Sequence, residues 1–316
     1  MNSSESSCAQ TADFQFVLFP VVYSFVVVFG LLGNVFALYM FMCKITPRTS
    51  TSVYIINLAL ADTAFLCTLP FRIHYHLNHN DWIFGDQACQ ITGTLFFVNI
   101  YVSIAFLSCI AIDRYVATVH PHAYLRLQRS PCTQLVSMSV WTVAVVAVAI
   151  FIIVGPLESN PTSDRRSCFE NFSENEWEKR LAAYSACSLL FGSLIPFVII
   201  MVCYPLVARR IARIKTGTSR RALRVIYAIL GITVLCFLPY HIVCLLHLLM
   251  RCGVIKHCSY ASAIYRARRV TIALVSINSC LDPVIYYFST SFCKLNRPTW
   301  LSLGRHHRVY NISSKM

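Results

Sequence analysis

Cys89 to Pro121 reads CQITGTLFFVNIYVSIAFLSCIAIDRYVATVHP, a run with no charged residue until Asp113 and Arg114 stand side by side. As a helix rising about 1.5 Å per residue, Cys89 to Arg114 covers roughly 37 Å, enough to cross a bilayer and emerge. One end then carries a cysteine and the other an acid next to a base.

The rest of the chain has the same character. Hydrophobic residues make up 57% and charged residues 13%, where soluble domains carry about 25% charged residues. Apolar runs long enough to span a bilayer recur at Phe16 to Cys43, Val53 to Tyr75, Ala88 to Val119, Cys132 to Val154, Lys179 to Val207, Leu223 to Met250 and Ser262 to Phe288. Only helices and closed barrels satisfy the backbone in lipid, and runs of this length are helices. The expected fold is all-α, a seven-transmembrane helix bundle spanning residues 16–288. A polar tail, residues 1–15, precedes it with no cleavable signal pattern. Residues 289–316 follow as a tail that opens with a short amphipathic eighth helix, where Phe292, Leu295, Trp300 and Leu301 mix with Lys294 and Arg297.

More than half of the 27 Lys and Arg lie on one side of these spans, around Lys44, Arg114, Arg209 to Arg224 and beyond Phe292, and Asp113 is the one acid there. Positive charge marks the cytosolic side, which puts the amino terminus outside a multi-pass plasma-membrane protein. The net charge of +14 then serves topology and attraction to anionic membrane lipids, and nucleic acid is not an expected partner. Cys8, Cys89, Cys168, Cys252 and Cys258 fall on the oxidising side. Cys8 can pair with Cys258 or with Cys252. Asn2 and Asn171 head glycosylation acceptors on that side, whereas Asn311 matches the same three-letter pattern inside.

Ionisable groups within spans are costly and mark functional sites by default. Asp62 and Asp282 are such groups; with Ser103 and Asn278 they can hold a small hard cation such as sodium through oxygen. The plain alternative is a protonated, hydrogen-bonded pair. Prolines at Pro70, Pro196, Pro239 and Pro283 each remove a backbone hydrogen bond and loosen a span. Asp113 beside Arg114 is either a restraint that a partner breaks or an interfacial anchor.

Gly33-Asn34, Leu58 to Asp62, Cys89, Asp113-Arg114-Tyr115, Trp141, Cys168, Pro196, Tyr204, Cys236 to Pro239 and Asp282 to Tyr286 occur together and in order. The chain so read resembles a rhodopsin-like G-protein-coupled receptor. That resemblance implies a Cys89 to Cys168 disulfide, an extracellular ligand, and outward motion of the sixth span about Pro239. It implies contact of Arg114 with a heterotrimeric G protein, with arrestin and receptor kinases as further partners. Tyr204 and Tyr286 would support the active state, and Asp62, Ser103, Asn278 and Asp282 match the family's sodium site; no other cofactor is implied. Phe237 stands where many members carry Trp, Asp282 where many carry Asn, and Thr233 where Phe is usual. The first two departures fit the purinergic-like branch. TLPFRIHYHLNHNDWIFGDQAC, CFENFSENEWEKRL and CLDPVIYYFS look most like lysophosphatidic acid receptors, with some similarity to platelet-activating-factor receptors near LFPVVYS.

Independently of family, the outer ends gather Arg72, Arg251, Arg268 and Arg269, with Arg165 and Arg166 in the long loop. Arginine recognises phosphate through bidentate, charge-assisted bonds, so an anionic headgroup is expected. Since Arg268 and Arg269 are adjacent, one of them should face inward. Phe96, Phe97, Ile100 and Tyr101 can line an apolar cavity for an acyl chain, or simply pack the core. A nucleotide would need stacking and polar partners instead. His74 and His76, two apart, point to different helix faces and do not suggest a metal site. A transporter would fit the hydrophobicity, but no inverted repeat is evident; an enzyme is not expected, since no nucleophile and base share a recognisable spacing.

Overall fold

The computed structural model describes residues 12–45, 49–128, 131–154, 167–168, 182–213, 217–255 and 257–284, and every regular element among them is helical. The first span is α1, Gln15–Tyr39, continued by a π-helical turn at Met40–Lys44. The second combines α2, Ser50–Leu66, with α3, Leu69–Leu77. Then come α4, Gly85–Val119, a short α5, Pro121–Gln128, and α6, Cys132–Val154. The fifth span is α7, Ala182–Leu189, a π-helical turn Leu190–Leu194, and α8, Ile195–Ala212. The sixth is α9, Gly217–Arg251, and the seventh is α10, Cys258–Ser276, followed after Ile277 by helical residues 278–284.

Six of these spans are long and apolar enough to cross a membrane. The seventh span is described as far as residue 284 and carries Arg266, Arg268, Arg269 and Asp282; it joins the bundle by packing on α9 and α1. The outward surfaces are apolar, with Val17 and Val143 each 68% exposed and Leu32, Phe36 and Leu235 also bare. A water-soluble bundle would invert that pattern, since in lipid there is no cost to facing Val and Leu outward.

The stretch Cys89 to Val119 sits at the centre: α4 packs against α2, α3, α5, α6 and α8. At one end, Cys89 is disulfide-bonded to Cys168 with Cα atoms 5.7 Å apart. Cys168 is buried with Tyr75 and Trp82, and its N–H donates to the Tyr75 hydroxyl at 3.3 Å. Gly85 opens α4 at φ +80°, a left-handed conformation that glycine adopts without a Cβ penalty.

The prolines act differently from one another. Pro239 lies inside α9, but Pro70 and Pro196 stand at the first positions of α3 and α8. Pro70 starts a new helical segment after the turn at residues 67–68, where the missing N–H has no intrahelical partner to lose, whereas Pro196 directly follows the π-helical turn and the fifth span stays helical through it. Pro20 and Pro205, inside α1 and α8, were not signalled by any motif. Pro283 packs on Gly33, where an added Cβ would meet its Cγ at 2.7 Å. Asn34 Nδ2 ties the same helices by donating to the Ser279 carbonyl at 2.8 Å.

Cys258 is disulfide-bonded and Cys252 is a free, exposed thiol, so of the two it is Cys258 that carries the second bridge. Cys8, Asn2, Asn171, Arg165, Arg166, Tyr286 and the expected amphipathic eighth helix lie outside the described residues.

Candidate functional site

A cavity of about 670 Å³ opens within the half of the bundle that holds the disulfide. Arg72, Phe97, Tyr101, Arg251, Arg268 and Arg269, expected from sequence to bind a ligand, all line it. Both adjacent arginines reach the cavity, contrary to the expectation that adjacency would turn one away. Their side chains are long enough to bend back: Arg268 Nη1 reaches across to His247 Nε2 at 3.0 Å. Arg269 folds onto Tyr265, four residues earlier, with its guanidinium 4.8 Å from the ring centroid and Nη2 donating to the hydroxyl at 2.6 Å.

Arginine can only donate, so in its bond with Arg268 the Nε2 of His247 is an acceptor and the proton sits on Nδ1. Arg72 stacks over Phe96 with 5.0 Å to the ring centroid, and its buried Nε has no hydrogen-bond partner. No Asp or Glu occurs among the described lining residues. Rings, a neutral histidine and a phenol steady Arg72, Arg268 and Arg269 instead, an arrangement that suits donors to an incoming anion.

The remaining wall is apolar. It runs along the face of α4 through Val98 and Ala105 and continues on Val140, Val143 and Ala147 of α6. Across the gap stand Ser188, Phe191 and Gly192 of the fifth span, with the Tyr184 hydroxyl donating to the Ala147 carbonyl at 3.4 Å. Val143, Ile150 and Phe191 line the cavity while being 68%, 46% and 64% exposed at the bundle surface. The cavity thus meets the lipid-facing surface between α6 and α7. Small residues such as Ala147 and Gly192 gave no sign of this in the sequence. His247 was detectable, one helical turn before Arg251 on the same face; His76, stacked on Phe19 at 4.4 Å, was not.

Nearer the middle of the bundle, Asp62 and Asp282 are completely buried and neighbour each other. Asn99 Nδ2 and Ser279 Oγ each donate to Asp62 Oδ1 at 2.8 Å, and Ser103 Oγ lies 3.5 Å from the same atom. Asn278 Nδ2 donates to Asp282 Oδ2 at 2.8 Å. All four expected residues meet in one layer, to which the structure adds Asn99 and Ser279. Between this layer and the cavity, Phe237 stacks on His241 with ring centroids 6.0 Å apart. His241 Nδ1 lies 2.6 Å from Ser193 Oγ, within the π-helical turn.

At the opposite end of α4, the acid and base are joined through a third residue. The Thr51 hydroxyl donates to Asp113 Oδ2 and accepts from Arg114 Nη2, the latter at 2.8 Å. Thr51 opens α2 beside the cap Thr49, and nothing in its local sequence marks it as the partner of residues so far along the chain. Tyr204 is buried nearby on α8, and half-buried Tyr115 meets His120 with ring centroids 5.8 Å apart.

Residues 33–286 match the model of the seven-transmembrane receptor family of the rhodopsin type. The chain is a rhodopsin-family seven-transmembrane receptor. It is similar to lysophosphatidic acid receptor 6 of Gallus gallus, 34% identical over 90% of this chain and 94% of that protein. It is equally similar to purinoceptor 1 of Meleagris gallopavo, 34% identical over 99% and 88%. Lysophosphatidic acid receptor 4 of Mus musculus is 33% identical over 91% and 78%. The receptor is therefore a multi-pass plasma-membrane protein that signals through G proteins and is not an enzyme.

Proposed function

We propose that the receptor responds to an extracellular anionic lipid, lysophosphatidic acid or a related lysophospholipid. The amino terminus and the disulfide end face outward in this reading. The observation that carries it is the joining of two surfaces in one cavity: a chamber with four arginines and no acid among its described lining residues, and an apolar wall continuous with the lipid-facing surface between α6 and α7. A phosphate would take the donors of Arg72, Arg251, Arg268 and Arg269, while the acyl chain would lie along the apolar wall. Since bilayer tails are as apolar as that wall, moving the chain between them yields little net free energy. Selectivity then falls to the charge-assisted headgroup bonds, each roughly 1.5–3 kcal/mol.

Signal transmission runs down α4 and α9. Ligand contact at Tyr240 and Cys244 on α9 would tilt that helix about Pro239, and its departure would release Arg114 from Thr51 toward a G protein, with Tyr204 and Tyr286 closing in. Arrestin and receptor kinases would engage the same cytosolic face. In the buried layer, Asp62, Ser103, Asn278 and Asp282 would hold a sodium ion. Two observations fit it: Asp282 Oδ1 and Asn278 Oδ1 are buried without hydrogen-bond partners, and two carboxylates in contact need a positive charge or a shared proton between them. Bound there, sodium would supply that charge and would favour the resting arrangement of these helices.

The test is a ligand panel on cells expressing the receptor, read as G-protein activation. Lysophosphatidic acid should activate at concentrations where nucleotides and platelet-activating factor are silent. Activation by nucleotides with silence to every lysophospholipid would overturn the lipid reading.

A further inference from the structure

Tyr101 is held from two directions by the fifth span. Its hydroxyl donates to Ser188 Oγ at 3.3 Å, and its ring lies against the bare Cα of Gly192. A Cβ on Gly192 would meet Tyr101 Cδ1 at 2.9 Å and Cε1 at 3.4 Å, so alanine there must displace the ring. The π-helical turn Leu190–Leu194 contains that glycine. Such a turn adds a residue and shifts the side chains that follow, a local change often found at functional sites.

The position of the ring gives this contact a consequence. At 3.6 residues per turn, Tyr101 falls in the α4 stripe of Thr94, Phe97, Val98 and Ala105, all of which line the cavity. That stripe extends roughly 16 Å at about 1.5 Å per residue and faces the apolar wall of α6. Cys244 and Arg268 line the same cavity. Tyr101 thus shares one cavity with the arginines and the apolar wall, and in the lipid reading a chain attached to a phosphate on the arginines would pass this ring.

We propose that Tyr101, fixed by Ser188 and Gly192, selects among anionic lipids by acyl-chain length and shape. This rests on the lipid reading above and adds a specificity-determining residue to it. Tyr101 contributes little to headgroup binding, because its hydroxyl is committed to Ser188. Its effect is steric: with the ring in place the passage has one width, with the ring pushed by Gly192→Ala it is narrower, and with Tyr101→Ala it is open. Tyr101→Phe and Ser188→Ala keep the ring but remove the bond that restrains it.

The experiment is a dose–response series of lysophosphatidic acids carrying decanoyl, myristoyl, stearoyl, oleoyl and arachidonoyl chains, on full-length receptor with surface expression measured in parallel. Gly192→Ala should raise the half-effective concentration of the longest chains roughly tenfold while decanoyl shifts far less. Tyr101→Ala should flatten the ranking, with Tyr101→Phe and Ser188→Ala giving smaller changes in the same direction. A merely structural role would shift all chains together, and such a parallel shift, or no shift, overturns the proposal. If Gly192→Ala fails to reach the surface, the ranking of Tyr101→Ala against Tyr101→Phe decides alone. Wild-type activation by the whole series with unchanged rankings in every variant removes the selector and keeps the lipid reading. Wild-type silence to the whole series removes both.

Discussion

The cavity and the buried polar layer below it answer the same problem in opposite ways. Each places ionised chemistry within spans, where a charge at mid-bilayer costs about 2.5–3.5 kcal/mol on insertion scales. In the layer, the two acids are enclosed by short amides and hydroxyls from neighbouring helices, with donors aimed at Asp62 from Asn99 and Ser279. In the cavity, arginines are steadied by rings and a histidine, and no acid stands among the described lining residues. One site is nearly complete in itself, suited to sensing how its helices sit. The other, in the proposed reading, is completed by an anion from outside.

The largest effect that follows is at Arg72. Its stacking on Phe96 and the unpartnered Nε leave it poised for a ligand, so Arg72→Ala should reduce lysophosphatidic acid potency roughly 100-fold, from the loss of about 3 kcal/mol of charge-assisted bonding. Surface expression should stay normal, because removing this cation orphans no acid among the described lining residues. Equal potency in the variant would erase the contrast, since the cavity's arginines would then be structural like the layer.

Next in size is Asp62. Asp62→Ala strands the donors of Asn99 and Ser279, at about 1–3 kcal/mol for each buried group left unpaired. Thermal stability of purified receptor should drop by several degrees and surface expression with it, whereas Asp62→Asn, still an acceptor, should lose less. A smaller shift is expected from Asp282→Asn. If sodium couples the layer to the cavity with about 1 kcal/mol, exchanging sodium for a bulky organic cation raises wild-type agonist potency roughly fivefold. The variant, short of one carboxylate, should show under half of that shift on a logarithmic scale. An undiminished sodium response in Asp282→Asn would move the cation elsewhere.

What could be read from sequence follows the same division. Asp62, Asp282 and the arginines stand out because charge in an apolar run is anomalous wherever it occurs. Asn99, Ser279, Ser188 and Gly192 do not, since small and amide residues are ordinary in membrane helices and acquire meaning only from a partner on another helix. Ser279 is 217 positions from the Asp62 it serves, and no local pattern encodes that distance. The seven spans were legible from hydropathy, yet the break within the second and the π-helical turn within the fifth were not, because a proline such as Pro70 or Pro196 looks the same in sequence whether it begins a helix, kinks one or follows a local change of winding. Thr51 was hidden for a further reason: at the start of a helix a threonine is expected to cap it, and its bonds to Asp113 and Arg114 exist only once α2 and α4 are side by side.

The last effect tests how far the two sites are alike. His247 does for Arg268 what Asn99 does for Asp62, fixing a charged group from a neighbouring helix with one hydrogen bond. A bond of this kind contributes about 0.5–1.5 kcal/mol, and its loss in His247→Phe leaves Arg268 free to reorient while keeping most of the volume. Lysophosphatidic acid potency should therefore fall by roughly threefold to tenfold. His247→Gln keeps an acceptor and should recover part of it. If glutamine and phenylalanine cost the same, His247 fills space and Arg268 is oriented by the ligand itself. The cavity would then be a site whose geometry forms on binding, and its difference from the preassembled layer would be greater than the resting structure suggests.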